Sequence, residues 1–144
     1  MLPKGITGFR DLDGVCIPEH GEKEFKQFCY SVAVRHHYTV ISFNLDLVSK
    51  NFYSAEFKTG QGSLYLLENA YYPWAAAASS LGFAGIEFIE CPFDLSEQNV
   101  RLLTLSELRQ DWHGFVGKLS SAELRQIAYW KPKTIGDIVF NFWD

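Results

Sequence analysis

The chain has 144 residues, 47% hydrophobic and 16% aromatic, with a formal net charge of -4. That length suits one domain, residues 1–144, with enough apolar material to bury a core, and the composition excludes a disordered chain. Cys16, Cys29 and Cys91 are odd in number and far apart, so no zinc knuckle or redox pair is signalled, and buried free thiols in a reducing compartment are expected.

The opening "MLPKGITGFR" lacks the apolar core of a secretion signal. The most apolar later stretch, "AYYPWAAAASSLGFAG", is broken by proline and glycine and falls short of the roughly 20 residues needed to cross a bilayer. A cytoplasmic protein without membrane contact is expected.

The first clear element is a helix in "GEKEFKQFCYSVAVRHH". Phe25, Phe28, Cys29 and Val32 fall at i, i+3, i+4 and i+7 and make one apolar stripe. The period then changes. Ile41, Phe43, Leu45 and Leu47 alternate with Ser42, Asn44 and Asp46, as in a strand with one wet face. "NFYSAEFKT" resumes as a second strand, and "GQG" at 60–62 marks a hairpin. "SLYLLEN", "PWAAAAS", "AGIEFIEC" and "VRLLT" are further strands, the alanine run carrying the weakest signal.

From Thr104 the pattern turns helical. Thr104 to Glu107 and Ser120 to Glu123 have capping-box spacing. Leu108, Trp112 and Phe115 line one helix, and Leu124, Ile127 and Ala128 the next. After "KPK", a last short helix starts between Thr134 and Asp137, with Ile135, Ile138, Val139 and Phe142 as its stripe. The predicted class is α+β: a mostly antiparallel sheet preceded by one helix and followed by C-terminal helices.

Both ends of the chain balance in charge. The excess lies between them, where Glu56, Glu68, Glu87, Glu90, Asp94 and Glu97 meet only Lys58 and Arg101. An acidic surface repels phosphate backbones, which argues against a nucleic-acid partner, and attracts basic proteins. Solubility alone would also account for such acids.

"RDLDGVC" contains the Asp-x-Asp-Gly pattern of phosphate-transferring enzymes of the haloacid-dehalogenase kind. There the first Asp ends a buried parallel strand, whereas "GITGFR" precedes Asp11 here, and no repeating β-α-β order is present. A turn, with Gly14 in the left-handed position, is the simpler account of Asp11 and Asp13. The same stretch lacks the acceptors of an EF-hand loop. Adjacent His36 and His37 diverge by about 100° on a helix and suit a helix end better than a shared metal. "TGQGSLY" is neither a phosphate loop nor a nucleophile elbow. No metal or cofactor is expected. Tyr71, Tyr72 and Trp74 crowd around Pro73, as loop anchors for a protein partner or as a corner of the core.

The tail "LSSAELRQIAYWKPKTIGDIVFNFWD", residues 119–144, resembles the C-terminal signature of small bacterial immunity proteins that accompany polymorphic or contact-dependent toxins. Leu119, Ser120, Glu123 and Leu124 match its helix, Tyr129 to Pro132 its Tyr-Trp-Lys-Pro block, and Phe140, Asn141, Trp143 and Asp144 its end. "LPKGITGF", Leu2 to Phe9, resembles the start of the same group, and the acidic middle matches nothing. The resemblance implies a non-enzymatic protein that binds and neutralises a toxin and carries no catalytic motif. Trp130 and Trp143 are expected to be covered, and Asn141 and Asp144 to bind the chain termini, so the tail serves as a clasp.

These features lead to an acidic surface that blocks a basic toxin active site, such as a nuclease's. The contact residues would be Glu87, Glu90, Asp94 and Glu97, with Tyr71, Tyr72 and Trp74 as anchors. The alternatives are a small enzyme or ligand-binding protein using Asp11, Asp13 and His113, and a general protein-interaction module.

Overall fold

Helix α1 (Glu22–His36) has the predicted stripe: Phe25, Phe28, Cys29, Val32 and Ala33 are buried. The computed structural model describes residues 1–11, 21–82, 84–94 and 99–143. The turn expected at Asp13 and Gly14 lies outside the described residues, as do Cys16 and His20. Gly21 brings no capping side chain, so Glu22 and Glu24 face the positive end of the helix dipole instead. The helix closes at His37, left-handed at φ 60, whose N–H donates to the Ala33 carbonyl.

The strands are β1 (Thr39–Asn44), β2 (Phe52–Thr59), β3 (Gly62–Asn69), β4 (Trp74–Gly82), β5 (Gly85–Ile89) and β6 (Arg101–Leu102). The first five lie side by side in chain order, each antiparallel to the next. The short β6 runs parallel to β4 beside Trp74 and Ala75. Thr59 pairs with Gly62 across a two-residue turn, and Gly62 takes φ 112, where a side chain would be strained.

The predicted alternation in β1 breaks at a register shift between Val40 and Ser42. Val40 and Phe43 turn inward, Ile41 is left 51% exposed, and the strand ends before Leu45. A bulge inserts one residue and so reverses the facing of the residues beyond it. The alanine run, weakest by propensity, is the strand that pairs with β3, β5 and β6. Ala75 to Ala78 are at most 1% exposed. Burial on both faces overrides β-propensity, and small side chains leave room for the large groups above and below.

The sheet is covered on both faces. On one, Tyr53, Ala55, Phe57, Leu64 and Leu66 pack against the buried side of α1. On the other, Phe52, Leu67, Ala76 and Ala78 meet Leu2, Ile6 and the C-terminal residues Ile135, Ile138, Val139 and Phe140. Double coverage explains the apolar runs at 64–67 in β3 and 74–78 in β4.

Helices α2 (Leu105–Arg109), α3 (Ser121–Trp130) and α4 (Ile135–Val139) each begin with a complete capping box, at Thr104/Glu107, Ser120/Glu123 and Thr134/Asp137. α2 ends before Trp112 and Phe115, which pack onto the core from the next turn. A Cβ on Gly136 would lie 2.9 Å from the Phe88 ring and 3.0 Å from the Leu108 carbonyl, so glycine permits α4 to cross α2 and β5 closely. The buried side of α3 is rotated from the predicted one. Ala122, Glu123 and Ile127 face inward, while Leu124 is 43% exposed and Ala128 is exposed.

Candidate functional site

The inward turn of Glu123 joins the two ends of the chain. Its carboxylate is fully buried. Oε1 accepts from the backbone N–H of Gly5 (2.8 Å) and Ser120 (3.0 Å). Oε2 accepts from the Thr7 N–H (3.1 Å) and the Thr7 hydroxyl (2.6 Å). Neutral donors of this kind stabilise a buried carboxylate by charge-assisted hydrogen bonds. Loop 2–9 is thereby fixed to the start of α3.

Three buried asparagines complete the junction. Asn51 and Asn69 both donate to the Ile6 and Val139 carbonyls, at 2.8–2.9 Å. Asn51 Oδ1 accepts the Asn141 N–H at 2.8 Å, and Asn141 Nδ2 donates to the Thr7 carbonyl at 3.2 Å. Asn141 thus binds the N-terminal segment as expected of it, and Asp144 lies outside the described residues. Trp143 is 9% exposed, but Trp130 stays 40% exposed, contrary to the expectation that both be covered. The two segments that carry the resemblance therefore pack on each other and form scaffold.

The expected aromatic anchors sit at the β3–β4 corner, each half-buried. Tyr71 lies where a Cβ on Gly8, at φ +87, would come within 3.2 Å of its ring. The Tyr72 hydroxyl donates to the Lys4 carbonyl, and burial, then the nearby Glu123 carboxylate, push that hydroxyl's pKa up. Trp74 lies under the Arg101 guanidinium, 4.4 Å from the ring centroid. All three side chains are engaged with the protein itself.

The acidic middle divides. Glu68 is fully buried. Glu56 is half-buried and accepts from the Ser63 hydroxyl at 3.2 Å. Glu87 in edge strand β5, and Glu90 and Asp94 beyond it, are exposed. Glu90 Oε2 also accepts the Leu105 N–H at 3.3 Å. Glu97 lies outside the described residues. Of the two cations of this region, Lys58 is exposed in β2, and Arg101 pairs with Glu107 at 2.7 Å.

Asp11 accepts the Ala122 N–H at 2.9 Å in the first turn of α3. That places it at the terminus of a helix, and Asp13 lies outside the described residues. His113 is exposed, stacked on Trp112 and 2.5 Å from Asp111. Cys29 and Cys91 are free thiols. Burial, then the Glu68 carboxylate, raise the first, and burial pushes the second up to about 11. Among the described residues, no group of three His, Cys, Asp or Glu is placed to hold a metal, and no helix is long and apolar enough to cross a membrane. The chain matches no family model, no curated protein and no solved structure. The buried asparagines were not legible as a cluster, since single polar residues at strand ends and in the tail obey no period; the Asx-type turn of Asn69 before Tyr71 and Tyr72 is the one local signal.

Proposed function

We propose that this chain is an immunity protein: a non-catalytic partner that binds a bacterial toxin and blocks its active site through an acidic surface. The observation that carries the proposal is the exposure of Glu87, Glu90 and Asp94 along edge strand β5 and its exit. Arg101, close by in sequence, has its charge offset by Glu107. Such an edge attracts a basic, phosphate-binding site, so a nuclease is the favoured toxin class. The resemblance of both chain ends supports the same reading, with those ends as scaffold and the β5 edge as contact.

The test is co-purification with the product of the adjacent upstream gene, and then an assay of that product's activity. A stoichiometric complex in which the activity is suppressed is expected. Failure to form a complex, or a complex that stays fully active, overturns the proposal.

A further inference from the structure

The tail carries a second surface, opposite in sign to the acidic edge and adjoining it at Ile86 of β5. Tyr129 and Trp130, at the end of α3, are 75% and 40% exposed. Adjacent large aromatics left in water are characteristic of protein contact sites. Trp130 is held in place despite its exposure. Its Nε1–H donates to Gln126 Oε1 at 3.0 Å, its ring lies parallel to that of Trp143 (3° apart, centroids 6.5 Å), and Tyr129 meets it edge-on at 5.2 Å. A rigid aromatic loses little entropy on binding.

Trp130 and Trp143 line a groove of about 440 Å³, together with Ile86 and Phe142. Lys131 and Lys133 border it, and both are exposed. Lys131 is left-handed at φ 52, and its N–H donates to the Ile127 carbonyl at 2.9 Å, which fixes where the lysine leaves the helix. The one carboxylate lining the groove, that of Asp137, accepts the N–H groups of Lys133 (3.1 Å) and Thr134 (3.2 Å) as the cap of α4. The groove therefore offers a ligand an aromatic wall and two ammonium groups.

The geometry points to this groove as the docking site of a short acidic protein segment. An aromatic or large aliphatic side chain of that segment packs against Trp130, and one or two of its carboxylates pair with Lys131 and Lys133. A nucleic acid fits less well. Two lysines are few for tracking a phosphate backbone.

The probe is a fluorescein-labelled peptide with a central phenylalanine flanked by glutamates, monitored by anisotropy at low salt. Saturable binding is expected. It should weaken about tenfold or more in K131E/K133E and in W130A, and when the probe's glutamates become lysines or its phenylalanine becomes serine. K131E/K133E changes only exposed side chains, so the test stands if W130A folds poorly. No binding at millimolar protein, equal binding by K131E/K133E, or tighter binding of a single-stranded oligothymidine than of the peptide each overturns the assignment.

Discussion

Replacing Glu123 tests the claim that the two chain ends are a structural clasp. In Glu123→Ala four donors lose their acceptor at once: the Gly5, Thr7 and Ser120 N–H groups and the Thr7 hydroxyl. Gly5, Thr7 and Ser120 are all buried. At roughly 1 kcal/mol for each orphaned buried donor, the loss is about 4 kcal/mol. For a chain of this size that lowers Tm by roughly 8–16 °C. Glu123→Gln keeps the shape but turns one carboxylate oxygen into a donor. Placed toward Thr7, the amide opposes the Thr7 N–H, while the Thr7 hydroxyl can rotate to accept from it. The expected cost is about half, roughly 2 kcal/mol. Urea unfolding gives both values. Amide exchange at Gly5 and Thr7 gives the local one, and protection there should fall in both variants. Both variants within about 0.5 kcal/mol of the parent, a shift typical of surface substitutions, would refute the clasp.

Asn69→Ala strips two carbonyls of a donor and the Tyr71 and Tyr72 N–H groups of an acceptor. It should cost about 2–3 kcal/mol in urea unfolding, and a loss below about 0.5 kcal/mol contradicts this. Cys91, its pKa pushed from 9.0 to about 11, holds roughly a hundredfold less thiolate at pH 8 than an ordinary thiol. Site-resolved mass spectrometry should find Cys29 and Cys91 alkylated slowly in the native protein and rapidly in denaturant. Equal rates would show that burial does not control them. Burial raises the Glu107 carboxyl, but hydrogen bonds from Thr104 and from Arg101, with the charge of Arg101, outweigh it and leave the pKa lowered. Its contribution is therefore full at neutral pH and is lost as pH falls through the lowered value. Glu107→Gln should cost under about 1 kcal/mol at pH 7, since the pair is well exposed, and the difference should shrink as pH falls below the ordinary carboxylate range. A difference that grows on acidification has the wrong sign.

Local signals in the sequence were legible where local physics decides the outcome. The stripe of α1, the capping boxes of α2 and α3 and the Gly60–Gly62 hairpin each depend on residues a few positions apart. Features that depend on distant partners were not legible. Glu123 looks like a solvent-facing helix residue until Gly5 and Thr7 are brought to it, and that shifts the apparent apolar side of α3 toward Leu124 and Ala128. The alanines of β4 have poor strand propensity and pair centrally because both faces are covered. Ile41 is placed outward by a bulge that no alternation announces. Within the candidate site, the acids Glu87, Glu90 and Asp94 are exposed. Glu68 was indistinguishable from them by composition yet lies in the core.

The proposed mode of action is tested most directly by the association rate of the purified chain with the upstream gene product, measured by stopped flow across a range of salt. The unaltered chain should associate fast at low salt and slow steeply as salt rises. Reversing Glu87 and Asp94 in E87K/D94K should cut the low-salt rate about tenfold or more and flatten the salt dependence. A rate indifferent to salt, or a double reversal that associates as fast as the parent, would contradict recognition through the acidic edge.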